Sequence, residues 1–182
     1  MSDKHFELTD ESHDYIGRIL RRIRATTALP RHGVREGDLG GRVETADNLS
    51  GNAWVFGNAW VFGNAKVSDD AAVSGNAKVV GDADVSGNPW VSGEAVITES
   101  QDILVVHPIG SESATATLTR TRDGNQLSVW CWRDRTIDRL DAEVERRSES
   151  WRGSPADHDR WRAEYRALRA LCEARIAGWE TR

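Results

Sequence analysis

The chain has few positive charges where its sequence is most regular. Between residues 43 and 109 only Lys66 and Lys78 stand against nine acidic side chains, a net of −7. Residues 1–42 carry eight basic and seven acidic side chains, and residues 110–182 carry fourteen arginines against thirteen acids. A middle section of that sign repels duplex nucleic acid, whose phosphates need a basic footprint. No run of 18 apolar residues occurs, so no membrane partner is expected. Cysteine is scarce too, with only Cys131 and Cys172. The acidic opening "MSDKHFELTDESHDY" does not read as a secretory signal, so the two are expected as reduced, partly buried thiols in an intracellular protein. No Cys/His set has zinc spacing, no Gly-rich stretch follows the phosphate-loop or dinucleotide spacing, and the calcium nonapeptide G-G-x-G-x-D is absent. No metal and no cofactor are therefore expected. With 38% apolar and 29% charged residues, a wide globular core is excluded as well.

What the sequence has is a six-residue phase. The stretch Gly51–Ser68 reads "GNAWVFGNAWVFGNAKVS". Every sixth residue from Val43 through Val55, Val61, Val67, Val73, Val79, Val85, Val91 and Ile97 to Ile109 is aliphatic, twelve positions in all. Two residues before the central members stands Ala or Pro, and four before them usually Gly. Alternation puts the Ala and the Val of one copy on the same side of a short strand. The Gly-Asn pair supplies a sharp turn. One hexapeptide buries almost nothing, so a core forms only when copies stack as coils with parallel strands.

The V-x-G-N-A-x pattern resembles the hexapeptide repeat of left-handed β-helix proteins, whose triangular coils take three hexapeptides each. That resemblance implies a mainly β fold, a left-handed parallel β-helix of about four coils over residues 43–109. The N-terminal cap is placed at 1–42 and a C-terminal cap, a β-hairpin plus two helices, at 110–182. The wider order of segments is similar to that of phage- and prophage-encoded hexapeptide-repeat proteins. "GVREGDLGGRVETADNLS" precedes the repeats, and "DILVVHPIGSESATATLTRTRDG" and "VWCWRDRTIDRLDAEVERR" follow. Arg42 departs from that group, which usually has Trp there. This resemblance implies a setting in a bacterial host's cytoplasm and no particular activity.

In the C-terminal part, "ATATLTRTR" and "NQLSVWCW" read as strands joined at Asp123-Gly124. Thr136 reads as the N-cap of one helix, and Ser154-Pro155 opens a second that runs to about Trp179, with an apolar stripe of Trp161, Tyr165, Leu168, Cys172 and Ile176.

Residues flanking the buried Val of each coil point outward, which predicts that Trp54, Phe56, Trp60 and Phe62 are exposed on one coil, with Trp54, Ala72 and Trp90 in one column. Exposed aromatics of that number need a reason. Three readings stand: a homo-oligomer interface (trimer or dimer), cover by the chain's own caps, or a ligand platform. Arg120, Arg122, Arg133 and Arg135 are candidate anion contacts. The function expected is a non-catalytic, self-associating binding or scaffold protein, with a host protein or small molecule, such as a defence protein or its signalling molecule, as partner. The alternative comes from the β-helix acyltransferases, which use acetyl-CoA or acyl carrier protein and a His as general base. His107, the only His between residues 33 and 157, is the candidate there, at the inward small-residue position of the last coil.

Overall fold

Alternating apolar and charged residues in "HFELTDESHDYIGRILRRIRA" build a hairpin. In a computed structural model of the chain, which describes residues 4–180, Phe6–Tyr15 (β1) pairs antiparallel with Arg18–Ala25 (β2). Ile16 and Gly17, both at positive φ, form the two-residue turn, the geometry that matches the strand twist. Phe6, Leu20, Ile23 and Ala25 face inward and are buried. Strand β2 pairs antiparallel with Leu39–Val43 (β3). Strand β3 then runs parallel to the coils, and Gly40 and Gly41 make that junction possible. A Cβ on Gly41 would stand 2.5 Å from both the Ala59 carbonyl oxygen and Val55 Cγ1, and one on Gly40 2.5 Å from the Val55 carbonyl oxygen.

The repeats form two-residue strands on three faces. One face carries β4 (Trp54–Val55), β7 (Ala72–Val73) and β10 (Trp90–Val91). The second continues from β3 through β5 (Trp60–Val61) and β8 (Lys78–Val79) to β11 (Val96–Ile97). The third pairs β6 (Lys66–Val67) with β9 (Asp84–Val85). Every pair joins residues eighteen apart, as in Val43↔Val61, Val61↔Val79 and Val79↔Ile97, so the repeats form a β-solenoid of three turns. The inward Val, Leu and Ile and their Ala neighbours are almost wholly buried, which keeps the core narrow. At the corners glycine takes positive φ: Gly51 does so with the backbone nitrogen of Asp69 2.8 Å from where its Cβ would be. Asp69 itself occupies a glycine phase at φ 58, and its side chain accepts a hydrogen bond from the Gly87 N–H at 2.9 Å.

The same device opens and closes the solenoid. Asn48 is buried in a short 3-10 turn, accepts from the Thr45 N–H, and donates to the carbonyls of Gly63 and Ala65 at 3.1 and 2.8 Å. Three turns later, Asp102 is buried in an equivalent 3-10 turn and accepts from the Thr98 and Glu99 N–H groups and the Thr98 hydroxyl.

Here the structure corrects the sequence reading. Ile103 and Ile109 keep the six-residue phase but lie outside the coils, and there are three turns where about four were expected. They sit on a seven-residue strand, Ile103–Ile109 (β12), that pairs antiparallel with Ala114–Thr121 (β13). "TESQDILVVHP" has no Gly-Asn corner, so nothing turns the chain after two residues. The chain accordingly divides into two units between Asp102 and Ile103.

In the second unit β13 continues into Gly124–Val129 (β14) and Trp132–Arg135 (β15), giving an antiparallel sheet in the order β12-β13-β14-β15. Thr121 pairs with Gly124, so the first turn holds Arg122-Asp123, one residue earlier than expected. The run "NQLSVWCW" is not one strand. Val129 pairs with Trp132 around Trp130-Cys131, with Trp130 at φ 55. After Thr136 comes a 3-10 turn, Ile137–Arg139, then helix α1 (Leu140–Ser148). Helix α2 runs from Pro155 to Glu180, where Ser154 and Asp157 bond each other's backbone N–H in a reciprocal cap. Leu118, Leu127, Leu140, Leu168, Cys172 and Trp179 form the core of this unit, with Tyr165 and Ile176 packed against it. Both cysteines are free; Cys172 is buried, which pushes its thiol up to about 12, while Cys131 is exposed, contrary to the expected partial burial.

Candidate binding groove on the solenoid flank

The aromatic coil is not a free surface. Trp54 is only 1% exposed, and Trp60, Phe56, Phe62 and Trp90 are half-buried. The phase places all of them correctly on the outside of the coil; what covers them is the N-terminal segment. The His5 ring lies 6.2 Å from that of Trp54, and the His32 ring 6.2 Å from that of Phe56. His13 and Tyr15, from β1, pack on Trp60 at 5.2 and 4.9 Å, and Tyr15 also reaches Phe62 at 5.6 Å. Trp54, Ala72 and Trp90 do form one column, and Trp90 stacks on Phe56 at 5.7 Å while its indole N–H donates to the Ser74 hydroxyl. The signal was in the sequence: residues 4–42 carry five rings, His5, Phe6, His13, Tyr15 and His32, and His5, His13, Tyr15 and His32 meet the coil's aromatics.

The same segment completes the first coil's edge. Within the solenoid, the Val67 and Ala71 carbonyls accept from the Ser50 and Trp54 N–H groups of the coil before. One coil earlier no preceding coil exists to supply those donors. The Lys4 ammonium donates to Leu49 O at 3.0 Å and to Ala46 O at 2.6 Å, and the His5 Nε2–H donates to Ala53 O at 2.8 Å. The His32 Nε2–H likewise meets Asn52 O at 2.9 Å. Burial holds both histidines below the usual imidazole range, with the carbonyl contact opposing it, so both are favoured neutral.

Beside the covered aromatics lies an open-sided groove of about 450 Å³, lined by His13, Arg42, Asn58, Trp60, Asn76, Lys78 and Glu94. Its composition follows from register. Arg42, Trp60 and Lys78 are partners on neighbouring strands β3, β5 and β8, about 4.8 Å apart along the stack. Two residues earlier in each repeat, Asn58, Asn76 and Glu94 form a parallel column at the corner. Lys78 Nζ lies 4.7 Å from the Trp60 ring centre and 5.0 Å from that of Tyr15, within cation–π range. That ammonium makes no ion pair among the described residues. Arg42, by contrast, is held by the Glu11 carboxylate, which also pairs with Arg22, and its Nε–H is buried without a partner among the described residues. At the corners, Asn52, Asn64 and Asn76 each donate to an acid one coil on, Asp70, Asp82 and Glu94. Asn58 has Asn76 at that position and makes no side-chain hydrogen bond among the described residues. Of this lining the sequence reading named Trp60 alone, because Arg42 and His13 lie outside the repeat and Lys78, read along the chain, is one more solvated charge.

The other candidates are elsewhere. His107 is exposed on β12, with Nδ1 3.1 Å from the Thr115 hydroxyl, and is not at the inward position of a coil, because β12 belongs to the antiparallel sheet. The four arginines are not one cluster. Arg122 lies in the turn before β14 and Arg133 just beyond its other end, which at about 3.4 Å per residue is roughly 17 Å away along the strand. Arg120 donates to the Trp179 carbonyl at 3.4 Å, Arg133 to the Trp130 carbonyl at 3.2 Å, and Arg135 is exposed on β15. No helix of the described residues is long and apolar enough to cross a membrane, and no group of three or more potential metal ligands occurs among them. No family model matches the chain, and no curated protein matches it.

Proposed function

We propose that this protein is a non-catalytic binding protein whose β-solenoid presents the groove around Lys78 to a small ligand. One observation carries the reading: a cleft of ligand size, about 450 Å³, whose lining holds an ammonium without a counter-ion and a carboxamide without a partner among the described residues. Lys66 and Asp84, at the same phase on β6 and β9, are exposed, whereas Lys78 is half-buried against Trp60 and Tyr15. The similarity to phage-type repeat proteins fits a role in which the protein captures a component of a bacterial host, a small molecule in preference to a protein given the size of the cleft. Self-association through the aromatic coil is not part of this proposal, since Trp54 is covered from within the chain.

The acyltransferase alternative lacks an equivalent observation. Its candidate base, His107, stands on a strand of the antiparallel sheet and not on a coil. Native mass spectrometry of freshly purified protein, beside its denatured mass and beside the Lys78→Gln variant, tests the proposal. A small extra mass present in the parent and absent from the variant is the expected result. Turnover of acetyl-CoA that disappears in His107→Ala would overturn it.

A further inference from the structure

The groove's chemistry narrows what it holds, and this step rests on the groove being the binding site. We infer that its ligand is a small polyol bearing one anionic group: a sugar acid or a sugar monophosphate. Lys78 is the cation of the groove without a carboxylate partner among the described residues, because Arg42 is held by Glu11. Glu94, which accepts from Asn76, is the one carboxylate of the lining, so the groove has room for one anionic group at Lys78 and not for several. The coils around it carry a net of −7, so ligands with many phosphates are repelled.

The neighbours of Lys78 suit hydroxyls. Asn58 offers both a carboxamide donor and an acceptor, and Asn76 and Glu94, linked at 2.6 Å, present further acceptor lone pairs on the same column. A hydroxyl both donates and accepts, so adjacent hydroxyls on a ring can satisfy such a column. The aromatic wall argues against a planar ligand. The Trp60 indole already has Lys78, Tyr15 and His13 against it, so a nucleobase would have to displace one of them before it could stack.

Isothermal titration of the full chain with D-glucuronate, glucose 6-phosphate, glucose and AMP tests the inference. At least one of the two acidic sugars should bind saturably, and which one does so tells carboxylate from phosphate. Neutral glucose should bind about ten-fold more weakly, the size of one charge-assisted contact. Lys78→Gln should abolish that preference, and Asn58→Ala, an exposed turn position, should weaken acidic and neutral sugars by a similar factor. Melting curves of both variants confirm that the fold is retained. If AMP binds about ten-fold more tightly than glucose 6-phosphate and still depends on Lys78, the groove is a binding site but the ligand class is wrong. The ligand class is equally wrong if no probe binds while a co-purifying mass is lost in Lys78→Gln. Binding that ignores both substitutions, or no binding and no co-purifying mass, removes the inference and the proposed site together.

Discussion

Three residues at one phase of the repeat test whether the N-terminal segment covers the coil. Trp54, Trp60 and Lys66 each precede an inward Val by one residue, and each starts a two-residue strand. Repeat geometry alone makes them equivalent. Their burial is not: Trp54 is 1% exposed, Trp60 is half-buried and Lys66 is exposed. A buried Trp removes about 150–250 Å² from water, worth roughly 4–6 kcal/mol as an upper estimate at about 25 cal/mol per Å². Truncation to Ala retains the β-carbon and lets neighbours relax, so Trp54→Ala should cost about 3–5 kcal/mol. Trp60→Ala should cost about 1–3 kcal/mol, since part of its surface is already wet and the Lys78 contact adds only a fraction. Lys66→Ala should stay within about 0.5 kcal/mol of the parent. Urea unfolding followed by circular dichroism reads the series. At a slope of about 2 kcal/mol per molar urea, Trp54→Ala lowers the midpoint by roughly 2 M. A Trp54→Ala variant as stable as Lys66→Ala would show that the aromatic coil is open, and the covering argument would be wrong.

The junction glycines give a second test. Gly41→Ala should cost about 3 kcal/mol or more, because the new methyl meets a backbone carbonyl that cannot yield. Gly57→Ala, where nothing lies within 4 Å but φ is 54, should cost only about 1 kcal/mol of backbone strain. Equal urea midpoints for the two variants would remove the close approach of β3 to the first coil. A third test uses pH. His5 and His32 are held neutral in the fold by burial, so the unfolded chain takes up protons first as pH falls below about 6.5. Their contribution is fully present above that pH and is lost as pH drops toward the lower folded values. Melting temperatures between pH 7.5 and 5.5 should therefore fall more steeply for the parent than for the double variant His5→Gln, His32→Gln, whose amides can still donate to the same carbonyls. Identical slopes would mean that the two rings do not sense the fold.

How much of this was legible in the sequence depended on how local the cause was. The coils were, because each inward Val and its Ala recur at a fixed spacing and the Gly-Asn corner is a local instruction. The stride of eighteen and the column Trp54–Ala72–Trp90 follow from the same count. The end of the solenoid was less legible: Ile103 and Ile109 keep the phase, and only the missing corner between Thr98 and Pro108 shows that the chain has stopped turning. Trp130-Cys131 hides as strand because aromatic and sulfur side chains suit strands, and nothing local announces a Trp at positive φ. The groove was legible only in part: Trp60 was a candidate, and the stride puts Lys78 beside it and Asn76 beside Asn58. Arg42 and Lys78 are thirty-six residues apart and His13 lies on a strand of the hairpin, so their meeting depends on where β1 and β2 fold back.

That fold-back makes the N-terminal segment the element on which the rest depends. A hexapeptide array has two intrinsic weaknesses: an open first edge with unmet carbonyls, and outward side chains that cannot bury themselves. Lys4 and His5 answer the first by donating to Leu49 and Ala53, where an earlier coil's N–H groups would stand. His13 and Tyr15 answer the second by packing on Trp60 and Phe62. The groove follows from how the second answer is given. The hairpin reaches Trp60 at its outer end, while Glu11 on the same strand binds Arg42 and leaves Lys78, two coils beyond Arg42, without a carboxylate. Two departures from a regular array meet there: the corner acid missing opposite Asn58, where Asn76 stands instead, and the hairpin that packs Tyr15 and Trp60 against Lys78. The solenoid thus supplies columns at a fixed spacing, and the hairpin decides which members of those columns remain available to a ligand.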